Sequence, residues 1–245
     1  MSFRKTAFCM VAYKTHAWMP IAARSFHQYF PEATLVIVDN NHAGDPKGDQ
    51  ETAFIQTLPF VTHIFPEPES DRSHGAGIDT AVRWCKEQDI RYLVHFEPDC
   101  LIRGRSWYES LAQALTPGIV MAGSHRKSYG PLHPTPSIWD LDFVEGSFRQ
   151  QPRGSDSMHP DFLGVFDFAS LMATCEQMYD ASITAWFREY WDTGHKPWFQ
   201  AAIKKQCVFV PPSDDFIHFW KGSETEPPTS LQDLYDKRAS ALSSS

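Results

Sequence analysis

Four short segments carry the side chains that could do chemistry. In Glu97-Pro98-Asp99, two carboxylates stand two residues apart just after the apolar run Tyr92-Leu93-Val94-His95-Phe96. Naked charges are too costly to bury at such a place, and Pro98 removes a backbone donor and ends the strand's ladder. The acids are then presented at a sheet edge, where a hard divalent cation can take their oxygens; a plain solvated strand cap has the same pattern. Further on, Asp214-Asp215-Phe216-Ile217-His218-Phe219-Trp220-Lys221-Gly222-Ser223 sets an imidazole near a cation and a flexible small pair. If His218 meets Asp99, 119 residues earlier (218 − 99), the two make a mixed carboxylate–imidazole metal site, with Lys221 free to face a phosphate. A lone histidine is equally an ordinary structural residue. Ser73-His74-Gly75-Ala76-Gly77 opens a helix whose N-terminal N–H groups attract anions, or is simply a helix start made of small residues. Thr80 stands where a dinucleotide fingerprint needs its third glycine, so a nicotinamide site is not indicated. Tyr190-Trp191-Asp192-Thr193-Gly194 places an acid on a turn, suited to a general base or to holding a hydroxyl, and equally to a helix stop at Gly194.

The elements that must position these groups alternate. Residues 7–13, 35–38, 61–65 and 92–96 are short apolar runs of buried-strand type, and residues 19–30, 51–58 and 74–88 have helical spacing between them. Residues 44–49, Gly-Asp-Pro-Lys-Gly-Asp, have turn chemistry. This rhythm predicts an α/β fold with a mostly parallel sheet flanked by helices, and ligands at the carboxyl ends of the strands. Asp39 and the Glu97/Asp99 pair close two of those strands. The second half is less regular. Helices are expected at 107–115, 168–191 and 198–205 and strands at 119–122 and 207–210. Between them, residues 123–164 form a Pro-, Ser-, His- and aromatic-rich stretch that reads as a binding surface. The expected organisation is a single compact domain with residues 1–105 as a ligand-binding half, 106–225 as an irregular second half, and 226–245 as a polar tail.

Composition limits the partners. The 245 residues carry 22 Lys+Arg and 30 Asp+Glu, a net charge of −8, which argues against a general nucleic-acid binder. An anionic ligand would then need a metal ion or a local cation. Hydrophobic residues at 42% allow a sizeable core. No run nears the roughly 20 apolar residues of a membrane span. The five scattered cysteines read as buried reduced thiols, and the chain as cytoplasmic.

At these residues the sequence resembles the nucleotide-sugar glycosyltransferases of the GT-A fold, in particular family 2-like members. Val36-Ile37-Val38-Asp39-Asn40-Asn41 is similar to the family's second strand and the acid closing it. Residues 73–81 are similar to its Gly-containing segment, and His95-Phe96-Glu97-Pro98-Asp99 to its D-x-D or N-P-D metal motif. His218-Phe219-Trp220-Lys221-Gly222-Ser223 is similar to its C-terminal His-containing segment. Glu97 stands where the family usually has Asp or Asn, and the Glu-Asp pair of the acceptor side is not evident.

The resemblance implies transfer of a sugar from a nucleoside diphosphate, with UDP favoured, to a hydroxyl of a small-molecule, glycan or lipid-linked acceptor, in an inverting displacement. It implies Mn²⁺ or Mg²⁺ held by Asp99 and His218, with Glu97 and Pro98 nearby and Lys221 neutralising phosphate charge. His74, Gly75 and Gly77 would lie along the donor, and Ala12, Tyr13, Asp39 and Asn41 around the base. Asp192 is the expected general base, with Asp167 in reserve, and Trp139, Trp191 and Trp198 are candidate sugar platforms or core residues. Two rival readings are a sugar-nucleotide-binding partner without turnover and a nucleotidyltransferase. The second calls for a Gly-rich basic turn after the first strand, and Tyr13-Lys14-Thr15-His16 has no glycine.

Overall fold

Thr6–Ala12 (β1) is buried at every position, as befits a central strand covered on both faces. In the computed structural model, which describes residues 5–66, 74–124, 135–142 and 207–219, β1 pairs in parallel with Thr34–Asp39 (β2) on one side and Tyr92–His95 (β4) on the other. Val61–Ile64 (β3) lies parallel to β2 beyond it. The crossovers are the helices Met19–Tyr29 (α1), Pro46–Gln56 (α2) and His74–Glu87 (α3). The chain continues through Cys100–Ile102 (β5), Ser106–Ala114 (α4), Met121–Ser124 (β6), Ser137–Asp140 (β7), Cys207–Val210 (β8) and Phe216–His218 (β9). One seven-stranded sheet runs β3-β2-β1-β4-β7-β6-β8, and β5 and β9 form a second, two-stranded sheet. The α/β architecture expected from the sequence is thus observed. The large sheet is parallel except at β7, which is antiparallel to both β4 and β6.

Strand alternation sorts the side chains between two helical layers. Phe8 and Met10 of β1, Leu35 and Ile37 of β2 and Val94 of β4 join Phe96 in one core cluster with Phe26 of α1, Phe30, and Trp107, Tyr108 and Leu111 of α4. Phe8 is its hub, with ring centroids 4.8 Å from Phe26 and 5.2 Å from both Phe30 and Tyr108. Val11 points to the other face, where α3 lies against β1 and β2. Gly77 makes that approach possible: a Cβ there would stand 2.6 Å from Val11 Cγ1 and 3.0 Å from Asn40 Nδ2. Among the described cysteines, Cys9, Cys85 and Cys100 are buried free thiols, and burial pushes Cys85 up to about 12.

Three differences from the sequence expectations have local causes. The helix expected at 51–58 begins at Pro46, because Asp45 caps it by accepting from the Lys47 and Gly48 N–H groups at 3.1 and 3.4 Å and proline suits a first helical turn. The irregular stretch contains β7, which binds β4 in the register Tyr92↔Asp140 and His95↔Ser137. Trp139 on this strand is 1% exposed and donates its indole N–H to Ser137 Oγ at 2.9 Å, so it serves the core. Finally, β5 and β9, each only three residues long, carry too little pattern to be recognised. Among the described residues no helix is long and apolar enough to cross a membrane.

Gly77→Ala is expected to cost about 1–3 kcal/mol, the usual penalty of overpacking. Val11→Ala in the same chain should recover part of it. Urea denaturation of the two single variants and the double variant checks this; strictly additive losses would show that α3 does not rest on Val11.

Candidate functional site

The site grows from the pairing of β5 with β9. Their antiparallel register sets Cys100 opposite His218 and Ile102 opposite Phe216. The residue before β5 and the last residue of β9 are therefore neighbours. His218 Nε2 lies 2.8 Å from Asp99 Oδ1, with the side chains 4% and 5% exposed, and the Phe219 N–H donates to the Asp99 carbonyl at 2.9 Å. The approach to β9 is tied to the start of α4. The Asp215 carboxylate accepts from Ser106 N–H at 3.1 Å and Ser106 Oγ at 2.5 Å, and its carbonyl accepts from Arg103 N–H at 2.8 Å. Gly104 leaves the room, since a methyl group there would collide with the Asp215 carboxylate. On the far side, Trp18 stacks on Phe219 at 5.0 Å. The carboxylate and imidazole that the sequence separates by 119 residues are in direct contact.

Beside them stands a second group. Val94 and Phe96 face the α1/α4 layer, so alternation turns His95 to the face on which α3 lies. The first residue of α3 is His74, whose ring centroid is 5.0 Å from that of His95. His74 Nε2 is 3.3 Å from Glu97 Oε1, and one ligand atom from each of His74, His95 and Glu97 lies within 4.8 Å of the others. Burial pushes the Glu97 carboxyl upward. The imidazoles of His74, His95 and His218 outweigh both that and the Asp99 charge, and hold it below the usual glutamate range. The sequence places Glu97, Asp99, His74 and His218 among its candidates but gives His95 no ligand role. Its signal was available: one histidine in an otherwise apolar strand, two residues before the acid.

At the ends of β1 and β2 the candidates fall into a separate network. Ala12 is fully buried and in register with Asp39, while Tyr13 is 42% exposed. Asp39 is fully buried and takes four hydrogen bonds: Asn41 N–H at 3.0 Å and Asn41 Nδ2 at 2.9 Å on Oδ1, Thr52 Oγ1 at 2.6 Å and His63 Nε2 at 3.1 Å on Oδ2. That fills a carboxylate's acceptor capacity, so a base N–H reaching Asp39 must displace one of these donors. Burial works to raise the Asp39 carboxyl, but the bonds from His63, Thr52 and Asn41 overcome it and hold the group below its usual range. Asn41 also donates to Glu51 Oε2 at 2.9 Å and accepts Lys14 N–H at 2.8 Å. Buried Glu51 accepts Thr15 N–H at 3.1 Å on that same oxygen, and its Oε1 meets Thr15 Oγ1. Here burial wins, and the Glu51 carboxyl titrates above the usual range.

Gly75 is the second residue of α3, Gly77 is committed to packing against Val11, and Pro98 is buried between Glu97 and Asp99. Lys221, Asp192, Asp167, Trp191 and Trp198 lie outside the described residues, as do the helices expected at 168–191 and 198–205.

No known family's sequence profile matches the chain, and no curated protein does. Solved structures are similar to it at low identity. A mannosyltransferase from Pyrobaculum calidifontis, in complex with GDP-Man and Mn²⁺, is 11% identical, covers 81% of this chain and 84% of its own, and has a TM-score of 0.47. Glucosyl-3-phosphoglycerate synthase from Mycobacterium tuberculosis, in complex with Mn²⁺, UDP and glucosyl-3-phosphoglycerate, is 10% identical over 94% of this chain and 75% of its own, at 0.48. The 4-diphosphocytidyl-2C-methyl-D-erythritol synthase of Anaerococcus prevotii is 7% identical over 95% and 97%, at 0.46. Scores below 0.5 leave the chemistry of this chain to its own side chains.

The two buried acids give opposite pH signatures. Asp39, depressed in the fold, contributes stability above the usual aspartate range that is lost as pH falls through its folded value. Glu51, raised in the fold, contributes stability below the usual glutamate range that is lost as pH rises through its raised value. Glu51→Gln keeps the shape, with its oxygen accepting from Thr15 and Asn41 and its amide donating to Thr15 Oγ1. The variant's Tm is therefore expected to gain on the wild type between pH 4 and 8. A constant difference over that range would show that folding leaves the Glu51 carboxyl unshifted.

Proposed function

We propose that this chain is a metal-dependent glycosyltransferase of GT-A type, moving a sugar from a nucleoside diphosphate sugar, with UDP favoured, to an acceptor hydroxyl with inversion. The observation that supports this reading most is the Asp99–His218 contact at 2.8 Å, at the carboxyl edge of the parallel strands. A carboxylate and an imidazole suit Mn²⁺ better than Mg²⁺, which prefers oxygen donors alone. When bound, such an ion offsets the charge that gathers on a leaving diphosphate.

The chain's own residues do the rest. Asp99 and His218 would hold the ion, with Glu97 beside them. The first turn of α3, from His74 and Gly75, would turn its N–H groups toward the donor, and Lys221 would neutralise remaining phosphate charge. Tyr13 and Ala12 would wall the base, and Asp39 would exchange His63, the longest of its four bonds, for a base N–H. Asp192, with Asp167 as second choice, would take the acceptor's proton, a contribution of about 10²–10⁴-fold. The acceptor hydroxyl belongs to a small molecule, a glycan or a lipid-linked sugar.

Asp99→Asn is nearly isosteric and should keep the fold while removing metal-dependent nucleotide binding. Calorimetry with UDP and Mn²⁺ checks it, and undiminished affinity would overturn the assignment. For Asp192→Asn, turnover should fall by about 10²-fold or more with donor affinity unchanged. Turnover near that of the wild type would pass the role to Asp167.

A further inference from the structure

We propose that His74, His95 and Glu97 form a transition-metal centre of their own, a two-imidazole, one-carboxylate set that takes Zn²⁺ ahead of Mg²⁺ and does so without Asp99 or His218. The three ligand atoms lie within 4.8 Å of one another. Bonds of 2.0–2.1 Å in a tetrahedral site put neighbouring donors about 3.4 Å apart, and the His74–Glu97 edge is already 3.3 Å. The set therefore needs only a small closure around an ion. By contrast, Asp99 and His218 are bonded to each other, and that hydrogen bond must open before both can turn to a cation.

The setting suits a bound ion in three further ways. His95 is 7% exposed and held in β4 between β1 and β7, so one ligand is rigid. The His74 and Glu97 side chains are 37% and 26% exposed, which leaves a path for the ion and an open position for a fourth donor. Two imidazoles with one carboxylate are borderline donors, and affinity for such a set rises toward the end of the first transition row and is low for Mg²⁺. A protein of net charge −8 could then carry a fixed cation at the edge where β1, β2 and β4 end.

The test uses the full chain stripped of metal, titrated with ZnCl₂ by calorimetry and with Co²⁺ by visible absorption, with no nucleotide present. One Zn²⁺ per chain is expected, with Mg²⁺ unable to compete. Affinity should fall roughly tenfold or more in His74→Gln and in His95→Gln, and be unchanged in Asp99→Asn and His218→Asn. The Co²⁺ spectrum should lack thiolate charge transfer. Absence of Zn²⁺ binding, loss of it in Asp99→Asn or His218→Asn, effective competition by Mg²⁺, or a thiolate band would each overturn the proposal. Should His95→Gln fail to fold by circular dichroism, the half-exposed His74 decides. Since the readout involves no donor or acceptor, failure of the glycosyltransferase reading would leave this result standing, and the reverse also holds.

Discussion

Everything at the site depends on the pairing of two three-residue strands. A two-stranded ribbon is marginal by itself, so β5 and β9 need outside support. Ile102 and Phe216 sink into the main core, the Asp215 carboxylate is tied to Ser106 at the head of α4, and Trp18 stacks on Phe219. These contacts come from α1's leading edge, from α4 and from the core, so the whole first half of the fold sets the distance between Asp99 and His218. The Asp99–His218 contact sits on a small sheet whose register is imposed by its neighbours.

The second organising constraint is charge. Glu97 and Asp99 stand two residues apart, and such a pair would repel and resist burial. The fold answers with imidazoles drawn from three elements: His74 from α3, His95 from β4 and His218 from β9. An acidic chain thereby sets three of its eleven histidines where Glu97 and Asp99 converge, offsetting their negative charge.

The network at the end of β2 shows the same economy in another form. Asp39 and Glu51 are both buried, yet one is held ionised and the other pushed toward its neutral form. Both acids receive donors on both oxygens, but Glu51 sits beside the Asp39 charge, which works with burial to raise its carboxyl. Together with Asn41 they pin the loop at Lys14, the residue with φ of 58°, to the middle of α2. That loop forms the rim of the same strand edge.

The alternating architecture of residues 6 to 96 was legible in the sequence. Parallel central strands must be continuously apolar, helices that cover them must be apolar on one face, and both patterns are local. That a strand ends just before Glu97-Pro98-Asp99 was legible too, because two acids and a proline cannot continue a buried strand. Short strands were not: β5, β7 and β9 owe their existence to edges supplied by distant residues. Gly77 looked suited to a ligand, and only the packed structure gave it a close approach to Val11. His95 looked like one more strand position until α3 delivered His74 beside it. Local periodicity, then, determined the layers and the edge on which chemistry could occur. The meeting of particular imidazoles and carboxylates at that edge was decided by tertiary structure alone, since it joins residues up to 119 positions apart through registers that no local pattern encodes.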